Sequence, residues 1–200
     1  MKLINGCLLE GIDYAGKTSV ARELIKQLKK EGIRCKYNKD YLIRETPAAK
    51  KFITCGDNVP PPNILQDLYY LITKMIESIC YKAEKNIFVI QDRYLFSTLN
   101  HCSFFYLDKN RDLLKLYNEG LHFKKNVYLT SSITTKMDRF IKNPPTNSFD
   151  KFLYNHKKIC QAYDDFCLKN VPVTKDWIII NTDNLSIRQI RNKVLRFVKE

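Results

Sequence analysis

Short runs of consecutive apolar residues alternate along this chain with longer stretches whose apolar residues recur every three to four positions. The runs are strand-sized and the stretches helix-sized. Residues 2–9 (KLINGCLL) predict a buried strand that ends before Gly11. Residues 17–30 put Val20, Ala21, Leu24, Ile25 and Leu28 on one helical face, and Gly32 predicts the stop. Residues 35–42 predict a second strand, and 54–62 (TCGDNVPPP) a loop. From 64 to about 80, Leu65, Leu68, Leu71, Ile72, Met75, Ile76 and Ile79 predict a long amphipathic helix. Residues 87–91 and 127–129 predict two further strands. Residues 131–142 predict a helix, which 143–148 (NPPTNS) must break. Residues 150–168 read mostly as helix and 177–180 as a final buried strand. Ser186 followed by Gln189 is a capping box, opening a helix with Ile187, Ile190, Val194 and Val198 inward.

Continuous apolar strands between amphipathic helices mean a parallel sheet covered on both faces. The expected fold is α/β: a three-layer α/β/α sandwich on a parallel sheet of about five strands. The chain of 200 residues shows no repeat and no long linker, so residues 1–200 are expected to form one domain. Six glycines and seven prolines exclude a collagen-like or low-complexity chain, and 44% hydrophobic residues exclude wholesale disorder.

No apolar run approaches the roughly 20 residues of a membrane span. The opening MKLINGCLLEG has no signal-peptide core or cleavage site, and the final RFVKE carries no prenylation or retention signal. Both are expected of a cytoplasmic protein. Seven cysteines, at 7, 35, 55, 80, 102, 160 and 167, form no C-x-x-C pair, and His101, His122 and His156 stand at no metal-ligand spacing to them. Free thiols in a reducing compartment are expected.

The balance of 34 Lys+Arg against 21 Asp+Glu gives a net charge of +13, which points to anionic partners. The chemistry sharpens at Gly11–Thr18 (GIDYAGKT), which fits G-x-x-x-x-G-K-[ST] without a mismatch. Glycines let the backbone turn successive N–H groups toward phosphate oxygens. The helix that follows offers its positive end. Lys17 is placed to reach the β- and γ-phosphates of a nucleoside triphosphate, and the Thr18 hydroxyl to ligate Mg²⁺. The strand at 87–91 then delivers Asp92 at its carboxyl end, where ligands of a parallel sheet bind, so Asp92 is expected to face that Mg²⁺.

The stretch LEGIDYAGKTS, Leu9 to Ser19, resembles the phosphate loop of thymidylate kinases, P-loop nucleoside monophosphate kinases. Asp92-Arg93-Tyr94 with Ser97 resembles their D-R-Y-x-x-S signature, and LYYLITK at 68–74 is similar to their LLF-x-x-x-R. The resemblance implies transfer of the ATP γ-phosphoryl to dTMP, with Mg²⁺, by a cytoplasmic homodimer of nucleotide biosynthesis. It implies that Gly11, Asp13, Tyr14, Ala15, Gly16, Lys17, Thr18 and Ser19 line the ATP site, with Asp13 also near the acceptor's 3′-hydroxyl. Arg93 would grip the acceptor phosphate, as a guanidinium fork suits. Arg44 would touch the same phosphate, Tyr70 would stack on the base and Lys74 would reach a base carbonyl. Ser97 and Tyr163 would lie near the acceptor.

Three departures stand out. Tyr14 replaces the arginine some members carry inside the loop. His101 stands where the family has an aromatic beside the sugar's 2′-carbon. Tyr70 and Lys74 replace Phe and Arg. Transition-state charge must then come from a lid at about 131–152, where Lys136, Arg139, Lys142 and Lys151 are candidates and Arg139 the first. Lys17, Asp92, Arg93 and Arg139 are the expected catalytic set. Two alternatives remain open: a kinase of another nucleotide, nucleoside or small molecule, in which Glu10 or Asp92 is the base; and a basic nucleic-acid-binding module, for which no recognition motif is seen. Nucleic acid and membrane are not expected partners.

Overall fold

The computed structural model describes residues 3–43, 62–106, 114–144 and 148–200. Five strands form one sheet: β1 (Leu3–Glu10), β2 (Cys35–Lys39), β3 (Phe88–Asp92), β4 (His122–Thr130) and β5 (Trp177–Asn181). Their spatial order is β2-β3-β1-β4-β5, and every pairing is parallel. The helices of the described residues are α1 (Lys17–Lys30), α2 (Ile64–Cys80), α3 (Leu95–Tyr106), α4 (Leu114–Glu119), α5 (Ile133–Lys142), α6 (Ser148–Asn155), α7 (Lys157–Lys169) and α8 (Ile187–Lys199).

The strands are buried on both faces because their side chains alternate between two cores. On one side Cys7, Leu9, Val127 and Leu129 pack with Val20 and Leu24 of α1 and Ile190, Val194 and Phe197 of α8. On the other, Leu8 and Tyr128 join Phe96, Leu99, Tyr163 and Trp177 beneath α3 and α7. β1 lies at the centre, so its carboxyl end opens between β3 and β4, where the strand order reverses.

Several boundaries differ from those the pattern predicts. β2 stops at Lys39 rather than running to 42, because Asp40 takes φ 62° and its N–H turns to the Asp92 carbonyl at 2.8 Å. The helix expected over 150–168 is two helices, parted at His156, whose φ of −120° leaves the helical region. α3 and α4 were not legible. α3 reads LFSTLNHCSFFY and buries Leu95, Phe96, Thr98, Leu99, Asn100 and Cys102, so its sequence lacks a polar stripe to contrast with an apolar one. α1 ends as predicted: beyond Gly32 the Ile33 N–H bonds back to the Leu28 carbonyl at 3.0 Å. The Ser186–Gln189 capping box is formed.

α2 is packed the other way round from its pattern. Its buried residues are Leu71, Thr73, Lys74 and Glu77. Apart from Leu71, its apolar stripe faces outward, with Leu65 76% and Ile79 79% exposed. The six cysteines among the described residues are free, as expected; Cys55 lies outside them.

Candidate active site

β1 delivers its last residue, Glu10, wholly buried, and the chain then folds into a loop over the sheet's carboxyl edge. Gly11 takes φ 129°, and a Cβ there would stand 2.1 Å from the Leu129 carbonyl oxygen of β4, so both the torsion and the space demand glycine. Gly16 caps α1 at φ 98° without any side-chain hydrogen bond, and no acid stands in the first turn. The helix therefore presents its opening N–H groups to the loop, the arrangement that suits an anion.

Lys17 is buried and donates to the Ile12 carbonyl at 2.9 Å, with Asp13 at 3.9 Å. Burial lowers its pKa and Arg93 lowers it further, while Asp13, Asp92 and Glu10 pull the other way. An ammonium so placed gains from the arrival of phosphate charge. Thr18 Oγ1 donates to Asp92 Oδ2 at 2.6 Å, and the Tyr37 hydroxyl donates to the same oxygen at 3.1 Å. Asp92 Oδ1 is buried with no hydrogen-bond partner. A buried acceptor oxygen left over beside a threonine hydroxyl fits a hard cation or its water, which takes oxygen ligands.

Arg93 sits one residue past β3 at φ 64°, held by its N–H to the Leu9 carbonyl at 3.0 Å and by Gln91 Nε2 to its own carbonyl at 2.8 Å. Its guanidinium pairs with Asp13. Burial alone would raise the Asp13 pKa, but Arg93 and Lys17 hold it well below the usual carboxylate range. Asp40, Asp150 and Tyr163 also act on the Arg93 charge. Glu10 fixes this turn from beneath: its Oε1 accepts the Tyr94 N–H at 2.9 Å, while burial raises its pKa. Ser97 Oγ donates to the Tyr94 carbonyl at 3.3 Å.

α5 reaches over the loop. Arg139 donates to the Tyr14 carbonyl at 2.8 Å and to the Thr182 hydroxyl at 3.1 Å, and its guanidinium nitrogen would lie 4.0 Å from a Cβ on Gly16. Burial lowers its pKa. Tyr14, at φ 64°, donates its hydroxyl to the Asn143 carbonyl at 3.1 Å and packs its ring 5.3 Å from Phe140. Of the other lid cations, Lys142 and Lys151 are exposed, but Lys136 is turned into the core, where it pairs with Asp164. Tyr128 and Thr130 complete that carboxylate's shell at 2.9 and 3.1 Å.

Across the cleft, His101 lies 3.0 Å from Asp67 through Nε2, and the Tyr106 hydroxyl donates to the same Asp67 oxygen. Rings of Phe105, Phe149 and Tyr163 surround the imidazole at 4.8, 4.8 and 5.9 Å. Tyr70 packs edge-on to Tyr41 at 5.3 Å. Lys74 does not open into the cleft; it is wholly buried and donates to the Asp40 carbonyl.

The structure thus gathers Gly11, Asp13, Tyr14, Ala15, Gly16, Lys17, Thr18, Asp92, Arg93 and Arg139 around one loop, with Tyr163 and His101 beyond Arg93. Ser19 points to solvent on α1. Arg44 lies outside the described residues. The sequence reading missed Asp67, Glu77 and Thr182. It had Glu10 only as a base for another reaction. Asp67, Glu77 and Thr182 lie in no motif; contacts far along the chain reveal them.

A family model for thymidylate kinase matches residues 9–194. Among solved structures, thymidylate kinase from Candida albicans aligns over 99% of this chain and 91% of its own, with a TM-score of 0.71 and 18% identity. At that identity the likeness is one of fold. A search of the curated proteins by sequence found no match.

Proposed function

Because the chain belongs to the thymidylate kinase family, and so transfers the γ-phosphoryl of ATP to dTMP, we propose that Lys17, Asp92, Arg93 and Arg139 carry the electrostatics of that transfer. The carrying observation is the Arg93–Asp13 pair at the mouth of the loop, one side chain away from Lys17. It puts a partly buried guanidinium fork within reach of an anion lying beside the triphosphate.

The loop from Gly11 to Ser19 holds the ATP phosphates by main-chain N–H groups, Lys17 and Thr18. Lys17 leaves the Ile12 carbonyl for the β- and γ-oxygens. Arg93 binds the acceptor phosphate and aims one of its oxygens at the γ-phosphorus. The new P–O bond forms as the bond to the β-phosphate oxygen breaks, and ADP leaves. No strong base is needed, since the acceptor phosphate is already ionised. Asp13 restrains Arg93 and lies toward the acceptor's 3′-hydroxyl. Arg139 adds positive charge over the loop at Tyr14 and Gly16. Thr18 and Asp92 would hold Mg²⁺, which supplies charge neutralisation and orientation of the phosphates.

Tyr70, Ser97, His101 and Tyr163 form the acceptor side; Arg44, expected to join them, lies outside the described residues. The whole chain acts as one kinase domain whose lid, at about 131–152, closes to exclude water. No helix among the described residues is long and apolar enough to cross a membrane. The family match and the free thiols of the described residues support a cytoplasmic enzyme. The outward apolar stripe of α2, from Ile64 to Ile79, supports a homodimer with that stripe as the interface.

The test is Lys17→Ala. It is expected to fold normally and to lose at least about a thousandfold in kcat, because the positive charge at the transferring group is gone. Retained activity in a folded variant would refute the assignment.

A further inference from the structure

Lys74 and Glu77 are one turn apart on the buried face of α2. The Lys74 ammonium donates to the Asp40 carbonyl and lies over the rings of Tyr70, Tyr94 and Tyr41 at 4.5, 4.9 and 5.3 Å. Glu77 accepts the Ile43 N–H at 2.8 Å and the Leu42 N–H at 3.3 Å. Two side chains of one helix therefore hold three main-chain groups between 40 and 43. That turn leaves the carboxyl end of β2, and Arg44 is its next residue.

The turn needs holding. Asp40 takes φ 62°, and a non-glycine residue pays strain there. The same cluster touches the site from a second direction. Tyr94 directly follows Arg93, and its hydroxyl donates to the Lys74 carbonyl at 3.2 Å. Three ring faces and one carbonyl are the groups that make a buried ammonium tolerable. They also leave it no free donor direction into the cleft.

We propose that Lys74 and Glu77 are positioning residues of the acceptor site: they shape the 40–43 turn and seat Tyr70, and neither touches the substrate. This rests on the reading of the Arg93 side as the acceptor site. It replaces a base-reading lysine by one that acts through the main chain. The charged state of Lys74 is itself poised. Burial lowers its pKa to about 8, with Arg93 adding to the fall, while Asp40, Glu77 and Glu10 resist it. The cation–π contacts are lost when the ammonium loses its proton, so the turn loosens above that pH.

The test measures kcat, the KM for dTMP, dUMP and dCMP, and the KM for ATP, from about pH 7 to about pH 9.5, in wild type, Lys74→Met and Glu77→Gln. In wild type the acceptor KM is expected to rise about fivefold across that interval, with the ATP KM and kcat within about twofold. Lys74→Met is expected to show that rise already at neutral pH, equally for all three acceptors, and to lose the pH dependence. Glu77→Gln is expected to raise the acceptor KM and to move the pH-dependent rise to lower pH, because the Glu77 charge that holds the Lys74 ammonium protonated is gone. A flat acceptor KM in active wild type overturns the proposal. So does a Lys74→Met enzyme whose preference among the three bases changes, since that makes Lys74 a base contact. If Lys74→Met does not fold, the wild-type profile and Glu77→Gln decide alone. Absence of turnover with any monophosphate refutes the kinase reading and this inference with it.

Discussion

Replacing Lys136 by Met separates a structural cation from a catalytic one. By position in the chain Lys136 belongs to the lid, three residues before Arg139. In the fold it is 1% exposed and pairs with Asp164, which is 4% exposed. Removing one partner of such a pair leaves a buried charge uncompensated, at a cost of about 3–5 kcal/mol. Asp164 keeps the Tyr128 and Thr130 hydroxyls, so the lower end applies, about 3 kcal/mol. For a chain of this size that lowers Tm by about 6–12 °C. The assay is thermal unfolding by circular dichroism, paired with kcat measured well below the new Tm. The expected result is the fall in Tm with kcat within about threefold of wild type, since a lid cation at the transferring group would cost about a hundredfold or more. The double variant Lys136→Met with Asp164→Leu should recover part of the loss, because the orphaned carboxylate is gone. An unchanged Tm with a hundredfold fall in kcat would return Lys136 to the catalytic lid.

Two further outcomes follow from the loop. Gly11→Ala forces a Cβ to 2.1 Å from a carbonyl oxygen at φ 129°, and is expected to cost about 3 kcal/mol or more, read as a lower urea midpoint; an unchanged midpoint would contradict the geometry. Asp13 is held below its unfolded pKa of about 3.9, so its pairing stabilises the fold above that pH and the contribution is lost as pH falls toward the depressed value. Asp13→Asn should therefore be less stable than wild type near neutrality, the two curves converging in acid; parallel curves would show that the pair contributes nothing.

The phosphate loop was legible because its chemistry is local: Gly11, Gly16, Lys17 and Thr18 answer to one turn and one helix end. Asp92 and Arg93 were legible because an apolar strand leads directly to them. The meeting of Thr18 and Asp92, 74 positions apart, was legible as well, because ligands of a parallel sheet gather at the carboxyl ends of its strands; that β3 is the direct neighbour of β1 was not, since no local pattern states it. α2 marks the limit most clearly. Its 3.6-residue periodicity was right, but periodicity alone does not say which face meets the core. Here the polar face does, because Lys74 and Glu77 find carbonyl, ring and N–H partners there, and the apolar face is left outward. Lys136 failed for the same reason: a lysine in a helix reads as solvated until Asp164, 28 positions away, is seen beside it. α3 was invisible because it is apolar on most sides.

In the proposed reaction a monophosphate acceptor is gripped at Arg93 beside a triphosphate held by Lys17. The most direct measurement is the initial rate of ADP release from MgATP with dTMP and, separately, with thymidine. Robust turnover with dTMP and little with thymidine is predicted, because thymidine has no phosphate for Arg93 to hold. Turnover with thymidine at a rate equal to or above that with dTMP would contradict the claim.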